Sequence, residues 1–397
     1  MITAPGPREV YRSASIPRMM RALRPVRGIG GRGRAGPQDF GAALTADLAA
    51  TPAARGYRLP AEWATHEATW LSWPHNRDSW PGVFAGVEPA MVEFVRALAE
   101  CEPVYINVLD ADHERHVRGL LAAAVPPERL RFYRFPTNDA WARDHGAIFV
   151  TRATAADPRL ALDFDYNAWG GKYPPYDLDR QIGGQMAEAL GVPRYAKPGI
   201  VLEGGSIEVD GEGALLTTEQ CLLNPNRNPT LTRADIQQLL RDSFAVREIL
   251  WLGDGIEGDD TDGHIDDLTR FVAPAAVVTV MEPNRADANH APLAANRRLL
   301  DAVRVGGRPL TVVELPMPTP QYLGEQRLPA SYANFYIANG AVLVPIYGCA
   351  ADDAACEILR DCFPGRRVVP VDCRVLIAGL GALHCLTQQV PAAPATS

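Results

Sequence analysis

The sequence predicts an α/β fold built by repeating one mixed strand–helix unit around a common axis. Three observations point there. From Tyr57 onward, short apolar strands alternate with amphipathic helices, the pattern of an α/β fold. Four times a polar signature residue leads into two apolar runs that a turn separates. The signatures Asp144, Glu203, His264 and Asn334 stand 59, 61 and 70 positions apart, and Cys385 follows 51 further on. A period of that size is what radial repetition produces, with like positions converging on the axis.

Residues 1–55 stand apart from this pattern. They hold nine Arg and three acids and are rich in Gly, Pro and Ala, so they are expected to form a disordered extension. The extension is Arg-rich and acid-poor like an organellar transit peptide, but it lacks the apolar core of a secretory signal. The rest reads as one catalytic domain over 56–392 with a short tail at 393–397. That body carries 30 basic and 44 acidic side chains, which disfavours nucleic acid as a partner and favours a cationic ligand. No apolar run approaches the ~18 residues of a membrane span. The seven cysteines include no C-x-x-C pair and read as reduced thiols of a cytoplasmic protein. Composition leaves a homo-oligomer open.

In chain order, Ala68–Trp73 reads as a strand stopped by Pro74, and Pro89–Glu100 as an amphipathic helix with Pro near its start. A strand over 104–108 and a helix over 112–124, stopped by Pro126 and Pro127, come next. The four paired runs are 147–150 with 160–164, 206–209 with 214–217, 268–272 with 276–280, and 335–337 with 342–344. Asp210-Gly211 and Asn339-Gly340 are strong hairpin turns between apolar runs. Helices over 178–190, 233–242, 287–303 and 352–363 separate the units.

The chemistry gathers on Cys385, in a stretch from Gly379 to Gln389 that reads as a short strand entered through glycines. One Cys with a remote His and carboxylates outlines thiol nucleophilic catalysis. His384 would point to the opposite face of such a strand, so it is expected to pack or to support rather than to act as the base. His264 is the better base. If Gly263 opens a strand, His264 and Asp266 share one face. The acidic loop 259–267 does not match a calcium-binding EF-hand, because position 12 would be Thr269. With Asp144 and Glu203 at repeat-equivalent positions, the pocket would hold a thiol, an imidazole and three carboxylates. Such a site keeps the thiol protonated unless the substrate brings a positive charge. A guanidinium answers this: carboxylates match its fork of N–H donors, and its central carbon is an electrophile. Sulfur attack with loss of ammonia yields a thiouronium adduct that water hydrolyses to a urea, with no metal or cofactor.

Several dispersed motifs now matter together: Trp73-Pro74-His75, Asn138–Asp144, Asn167–Lys172, Leu202–Ser206, Leu222–Pro229, Gly258–His264, Ala330–Gly340 and His384–Gln389. In this order they resemble the agmatine deiminases of the guanidine-modifying superfamily, from Leu59 to Gln389. The resemblance implies a five-bladed α/β propeller, the pentein fold, with the site on its axis. It further implies Cys385 as nucleophile, His264 as general acid/base, Glu203 as support for the imidazole, and Asp144 and Asp266 as the grip on the guanidinium. Trp73 and Trp169 are candidate walls for the substrate's aliphatic stem. The chain departs from the family's usual Gly-Gly-Gly-Asn at Leu380 and Ala382, and has Ala147 for Pro and Asp262 for Asn. The implied reaction converts agmatine to N-carbamoylputrescine and ammonia, a step of putrescine biosynthesis. Deimination of free or peptidyl arginine is the alternative enzyme, and a non-catalytic polyamine- or metal-binding protein the alternative of another class.

Overall fold

Each hairpin read from the sequence proves to be two strands of a three-stranded unit. The computed structural model describes residues 50–154 and 156–394. It opens with β1 (His66–Ser72), α1 (Val87–Ala99), β2 (Val104–Asn107), α2 (Ala111–Leu121) and β3 (Leu130–Tyr133). Then α3 (Ala142–His145) leads into the antiparallel pair β4 (Ile148–Thr151) and β5 (Arg159–Asp165). The one-turn helix α4 (Ala168–Gly171) follows, and α5 (Ile182–Leu190) crosses to β6 (Arg194–Val201), parallel to β5.

The same plan recurs. A 3-10 turn at Gly204–Ser206 leads into β7 (Glu208–Val209) and β8 (Ala214–Thr218). After α6 (Glu219–Leu222), α7 (Arg233–Phe244) crosses to β9 (Glu248–Leu252). A turn at Ile265–Asp267 precedes β10 (Thr269–Ala273), β11 (Ala276–Met281) and α8 (His290–Ala302). The small pair β12 (Arg304–Val305) and β13 (Arg308–Pro309) comes before the parallel strand β14 (Thr311–Pro316). Another small pair, β15 (Gln321–Leu323) and β16 (Gln326–Leu328), precedes the turn Tyr332–Asn334. The fourth unit is β17 (Tyr336–Ala338), β18 (Ala341–Ile346), α9 (Ala351–Cys362) and β19 (Arg367–Asp372). Finally β20 (Thr387–Pro391) pairs antiparallel with β1, whose other neighbour β2 is parallel. The two ends of the described chain therefore form a fifth unit, the four-stranded sheet β20-β1-β2-β3, with the same antiparallel-then-parallel order and one further parallel strand.

Local sequence explains these elements. The parallel third strand needs a crossover, which each unit supplies as a helix. Helix α1 places Met91, Phe94, Val95 and Leu98 on one buried face, and each such burial stabilises by about 1.5–3 kcal/mol. Helix α7 starts on a capping box of Thr232 and Asp235. The hairpin turn between β17 and β18 places Gly340 at φ +79°, a conformation glycine adopts without steric cost.

Hydrogen bonds at or beside the entry turns join the units in succession. Gly205 N donates to Asp144 Oδ1 at 3.1 Å, and Thr218 Oγ1 donates to the Gly263 carbonyl at 2.6 Å. Asn334 Nδ2 donates to Asp267 Oδ1 at 3.0 Å, and His384 N to the Asn334 carbonyl at 3.2 Å. Arg143 N donates to the Cys385 carbonyl at 3.2 Å and closes the series.

Three expectations change. Residues 264–267 form a turn capped by His264, not a strand, because the Asp259 carboxylate gathers Gly263 N and His264 N and folds the loop on itself. Cys385 likewise lies in a turn, and its strand begins only at Thr387. Of the expected extension, residues 1–49 lie outside the described residues, as do 395–397 of the tail. Residues 50–55 form a turn held to the body, with Ala53 N donating to the Asp242 carbonyl at 2.9 Å.

Candidate active site

The turn that presents Cys385 is shaped by close packing. A Cβ on Gly379 would lie 2.5 Å from the Trp80 ring, and one on Gly381 would lie 2.5 Å from Trp141 and 3.0 Å from Cys385 Cβ. Leu380 between them sits at φ +69°, in the left-handed region its usual glycine would favour. The Cys385 thiol takes the Asn334 Nδ2 donor at 3.1 Å and lies 3.7 Å from Asp266 Oδ2. Burial pushes its pKa well above the usual thiol value, and Asp266, Asp267 and Asp144 push it further.

Gly205 marks the centre of the cluster. A Cβ there would stand 2.6 Å from His264 Nδ1, 2.9 Å from Asp144 Oδ1 and 3.1 Å from Asp266 Oδ2. The imidazole and two carboxylates thus meet around one bare backbone position. His264 Nδ1 lies 3.8 Å from Asp144 Oδ1. Burial opposes a charge on His264, but Asp144, the Cys221 thiol and Glu203 together hold its pKa well above the ordinary imidazole value.

The three carboxylates differ in their support. Asp144 accepts Trp169 Nε1 at 3.0 Å as well as Gly205 N. Burial raises its pKa to about 6; Asp266 and Glu203 add to the shift and His264 opposes it. Asp266 is held below the carboxylate range: burial works against this, but a 2.7 Å bond to His384 Nδ1 and the charges of His384, His264 and Arg270 outweigh it. Its Oδ1 has no partner among the described residues. Glu203 is fully buried, with Oε1 on Arg227 Nε at 2.6 Å and Oε2 without a partner.

The structure therefore brings together Cys385, His264, Glu203, Asp144 and Asp266, and adds Trp169 through its indole N–H. It does not bring Trp73 to these groups by any hydrogen bond. The Trp73 indole lies in the main core and donates to Glu88 at 3.3 Å. His384 supports from beneath, with Nε2 2.7 Å from Glu62 Oε2.

Several residues of the site went unassigned from the sequence. Asn334, marked only as a repeat signature, touches the thiol and braces the turn before it, accepting His384 N on Oδ1 at 3.0 Å. Arg227 links Glu203 to Asp262, donating to its Oδ2 at 2.6 Å. Lys172 also bonds Asp262, at 2.8 Å, so the loop bearing Trp169 is fastened to the loop bearing His264. Cys221 lies against His264. The only signal available was that Asn334 and Arg227 stand inside the resembling motifs.

Arranged this way, the site can hold a planar cation between Asp144 and Asp266, with a thiol and a charged imidazole beside it. Comparison with known proteins agrees with that chemistry. Residues 58–391 match the model of the Porphyromonas-type peptidyl-arginine deiminase family. The agmatine deiminase of Ectopseudomonas mendocina is 38% identical over 368 residues, covering 87% of this chain and 98% of that one. The solved agmatine deiminase of Enterococcus faecalis superposes with a TM-score of 0.81 at 32% identity, over 86% of this chain and 98% of that one. A cysteine-to-serine agmatine deiminase from C. jejuni with substrate bound superposes with a TM-score of 0.78 at 31% identity, over 85% and 97% of the two chains.

Proposed function

We infer the activity from membership: the chain belongs to the Porphyromonas-type peptidyl-arginine deiminase family, and it is an agmatine deiminase. It hydrolyses the terminal C–N bond of agmatine's guanidinium to give N-carbamoylputrescine and ammonia, a step toward putrescine. The observation that carries this is the meeting of His264, Asp144 and Asp266 around Gly205, with the Cys385 thiol 3.7 Å from Asp266.

In this reading Asp144 and Asp266 bind the guanidinium by charge-assisted hydrogen bonds. The bound cation offsets the carboxylates that keep Cys385 protonated, so the thiol releases its proton to solvent and the thiolate forms where it is needed, to be reprotonated by the adduct's hydroxyl when the C–S bond later breaks. Sulfur attacks the central carbon, and the C–N bond breaks as the His264 imidazolium protonates the departing ammonia. His264, now neutral, takes a proton from the water that attacks the thiouronium carbon, and the C–S bond breaks to free the urea and the thiol. Glu203 supports the charge on the imidazole from nearby. Trp169 lines the stem of the substrate, and Trp73 is left to the core.

Agmatine is favoured over arginine because the basic side chains bonded to the site are already engaged. Lys172 and Arg227 are held by Asp262, and Arg143 by Gln389 and the His384 carbonyl. Each of the three is already paired with a carboxylate, Lys172 with Asp262, Arg227 with Glu203 and Arg143 with Glu62 at 3.6 Å, which an α-carboxylate would have to displace. No helix of the described residues is long and apolar enough to cross a membrane. We assign the enzyme to the cytoplasm, free of nucleic acid, with self-association open to measurement.

Ammonia release from agmatine, free arginine and a peptidyl-arginine substrate tests the reading directly. Turnover of agmatine well above the other two is expected, and no release from agmatine overturns it. Cys385→Ser should abolish turnover while still binding agmatine, and mass spectrometry of quenched wild-type enzyme should find the amidino adduct on Cys385.

A further inference from the structure

A second thiol stands beside the imidazole assigned to catalysis. Cys221 belongs to α6, and its N–H is capped by Thr218 Oγ1 at 3.1 Å. That same hydroxyl donates to the carbonyl of Gly263, the residue before His264, so Cys221 and His264 hang from one anchor. The sulfur, a ring nitrogen of His264 and a carboxylate oxygen of Glu203 all lie within 4.8 Å of one another, on residues that are each fully buried. Neither ring nitrogen of His264 has a hydrogen-bond partner among the described residues, and neither has Glu203 Oε2. Three donor atoms of different types therefore converge, with the oxygen and the nitrogens unsatisfied. Buried polar atoms in that state are costly.

Sulfur, imidazole nitrogen and carboxylate oxygen are the donors that zinc takes in tetrahedral sites, three from protein with one position left over. The surrounding charge admits a cation. Asp144 and Asp266 lie close to the same imidazole, and the guanidinium that bonds Glu203 Oε1, that of Arg227, is also paired with Asp262. We propose that Glu203, Cys221 and His264 form an inhibitory site for a divalent zinc-like ion, which binds the resting enzyme with release of the imidazolium and thiol protons to solvent and takes His264 out of proton transfer. The inhibitory consequence rests on the catalytic reading above; the binding itself does not. The site differs from a metal held on the nucleophile, for which Asp266, Asp267 and Cys385 offer a separate donor set.

The test uses the full chain with cobalt as a spectroscopic probe and zinc as the inhibitor. Cobalt added to Cys385→Ser protein should give a near-ultraviolet thiolate-to-metal absorption band that is lost in Cys221→Ser. Zinc should inhibit ammonia release by wild type, EDTA should reverse it, and Cys221→Ser should need at least about tenfold more zinc. Circular dichroism of Cys221→Ser checks its fold, with Cys221→Ala as the second variant. A band that requires Cys385, no band in any variant, or unchanged zinc sensitivity in folded Cys221 variants overturns the proposal. The cobalt spectrum needs no turnover, so it fails or succeeds apart from the agmatine assay.

Discussion

Ionised Asp144 is the form that grips a guanidinium, and in the substrate-free protein its carboxyl titrates at about 6. Its folded value lies above the ordinary carboxylate range, so the group favours folding most when protonated and loses that contribution as pH rises through about 6. Binding runs the other way: kcat/KM for agmatine should fall as pH drops through about 6. The bound cation favours the ionised carboxylate, so the acid limb of kcat should lie lower than that of kcat/KM. A pH–rate profile flat down to pH 5 would remove Asp144 from this role. Asn334 is the other residue to test. Its Nδ2 donor at 3.1 Å stabilises the thiolate more than the thiol, and a hydrogen bond to a charged group is worth about 1.5–3 kcal/mol. Asn334→Ala should therefore cost roughly 10- to 100-fold in kcat/KM for agmatine. The raised Cys385 pKa should rise further, read as slower iodoacetamide alkylation at fixed pH. At this scale the sequence was legible wherever a side chain brings chemistry of its own, as a thiol, an imidazole or a carboxylate does. Asn334 and Arg227 act only through what they touch, and their partners lie far along the chain. Trp73 shows the opposite difficulty, because an indole packs in a core as readily as it lines a pocket.

The entry turn preceding the first strand of each unit is the element that builds the site. Backbone there comes within reach of the reacting groups, which is why Gly204 and Gly205 follow Glu203 without side chains. A Cβ on Gly204 would meet the Arg143 carbonyl at 2.3 Å, and one on Gly205 would meet His264 Nδ1 at 2.6 Å. Gly205→Ala should leave the fold near wild type by circular dichroism, because only side chains must move, yet lower kcat at least about 100-fold by displacing the imidazole. Near-normal kcat in that variant would mean His264 is not held where the geometry places it. Hairpins were legible from the sequence because turn residues and alternation mark both strands. The third strands β6, β9, β14 and β19 were not. They are outer strands, largely half-exposed; Pro198 and Pro370 interrupt two of them and Pro316 ends a third, as edge positions tolerate. The glycine entry to Cys385 was legible, but its turn could not be told from a strand by alternation alone.

Closure of the whole molecule depends on contacts between its two ends, which no local pattern reveals. Strand β20 seats against β1, and Glu62, just before β1, reaches under the site. Its Oε2 is 2.7 Å from His384 Nε2 and 3.0 Å from Arg270 Nη2, while Oε1 accepts Ile337 N at 2.7 Å. One carboxylate thus joins the fifth unit to the third and fourth and steadies the histidine that holds Asp266. Burial works against the charge on Glu62, but Arg270, His384 and Arg143 outweigh it and hold its pKa well below the carboxylate range. A depressed folded value means the stabilisation is present above the unfolded carboxylate value and is lost only as pH falls through the lower folded one. Glu62→Ala leaves His384 and Arg270 short of a partner in a dry interior. Removing one member of a buried pair costs about 3–5 kcal/mol, and because Arg270 keeps Glu208 at 2.9 Å the low end is expected. Urea unfolding at pH 7 should show a lower midpoint at unchanged slope, and the gap to wild type should persist to pH 5 and narrow only in stronger acid. If the gap closes between pH 7 and 6 instead, a histidine rather than Glu62 governs it, and an unchanged midpoint would show that Glu62 contributes nothing to joining these units.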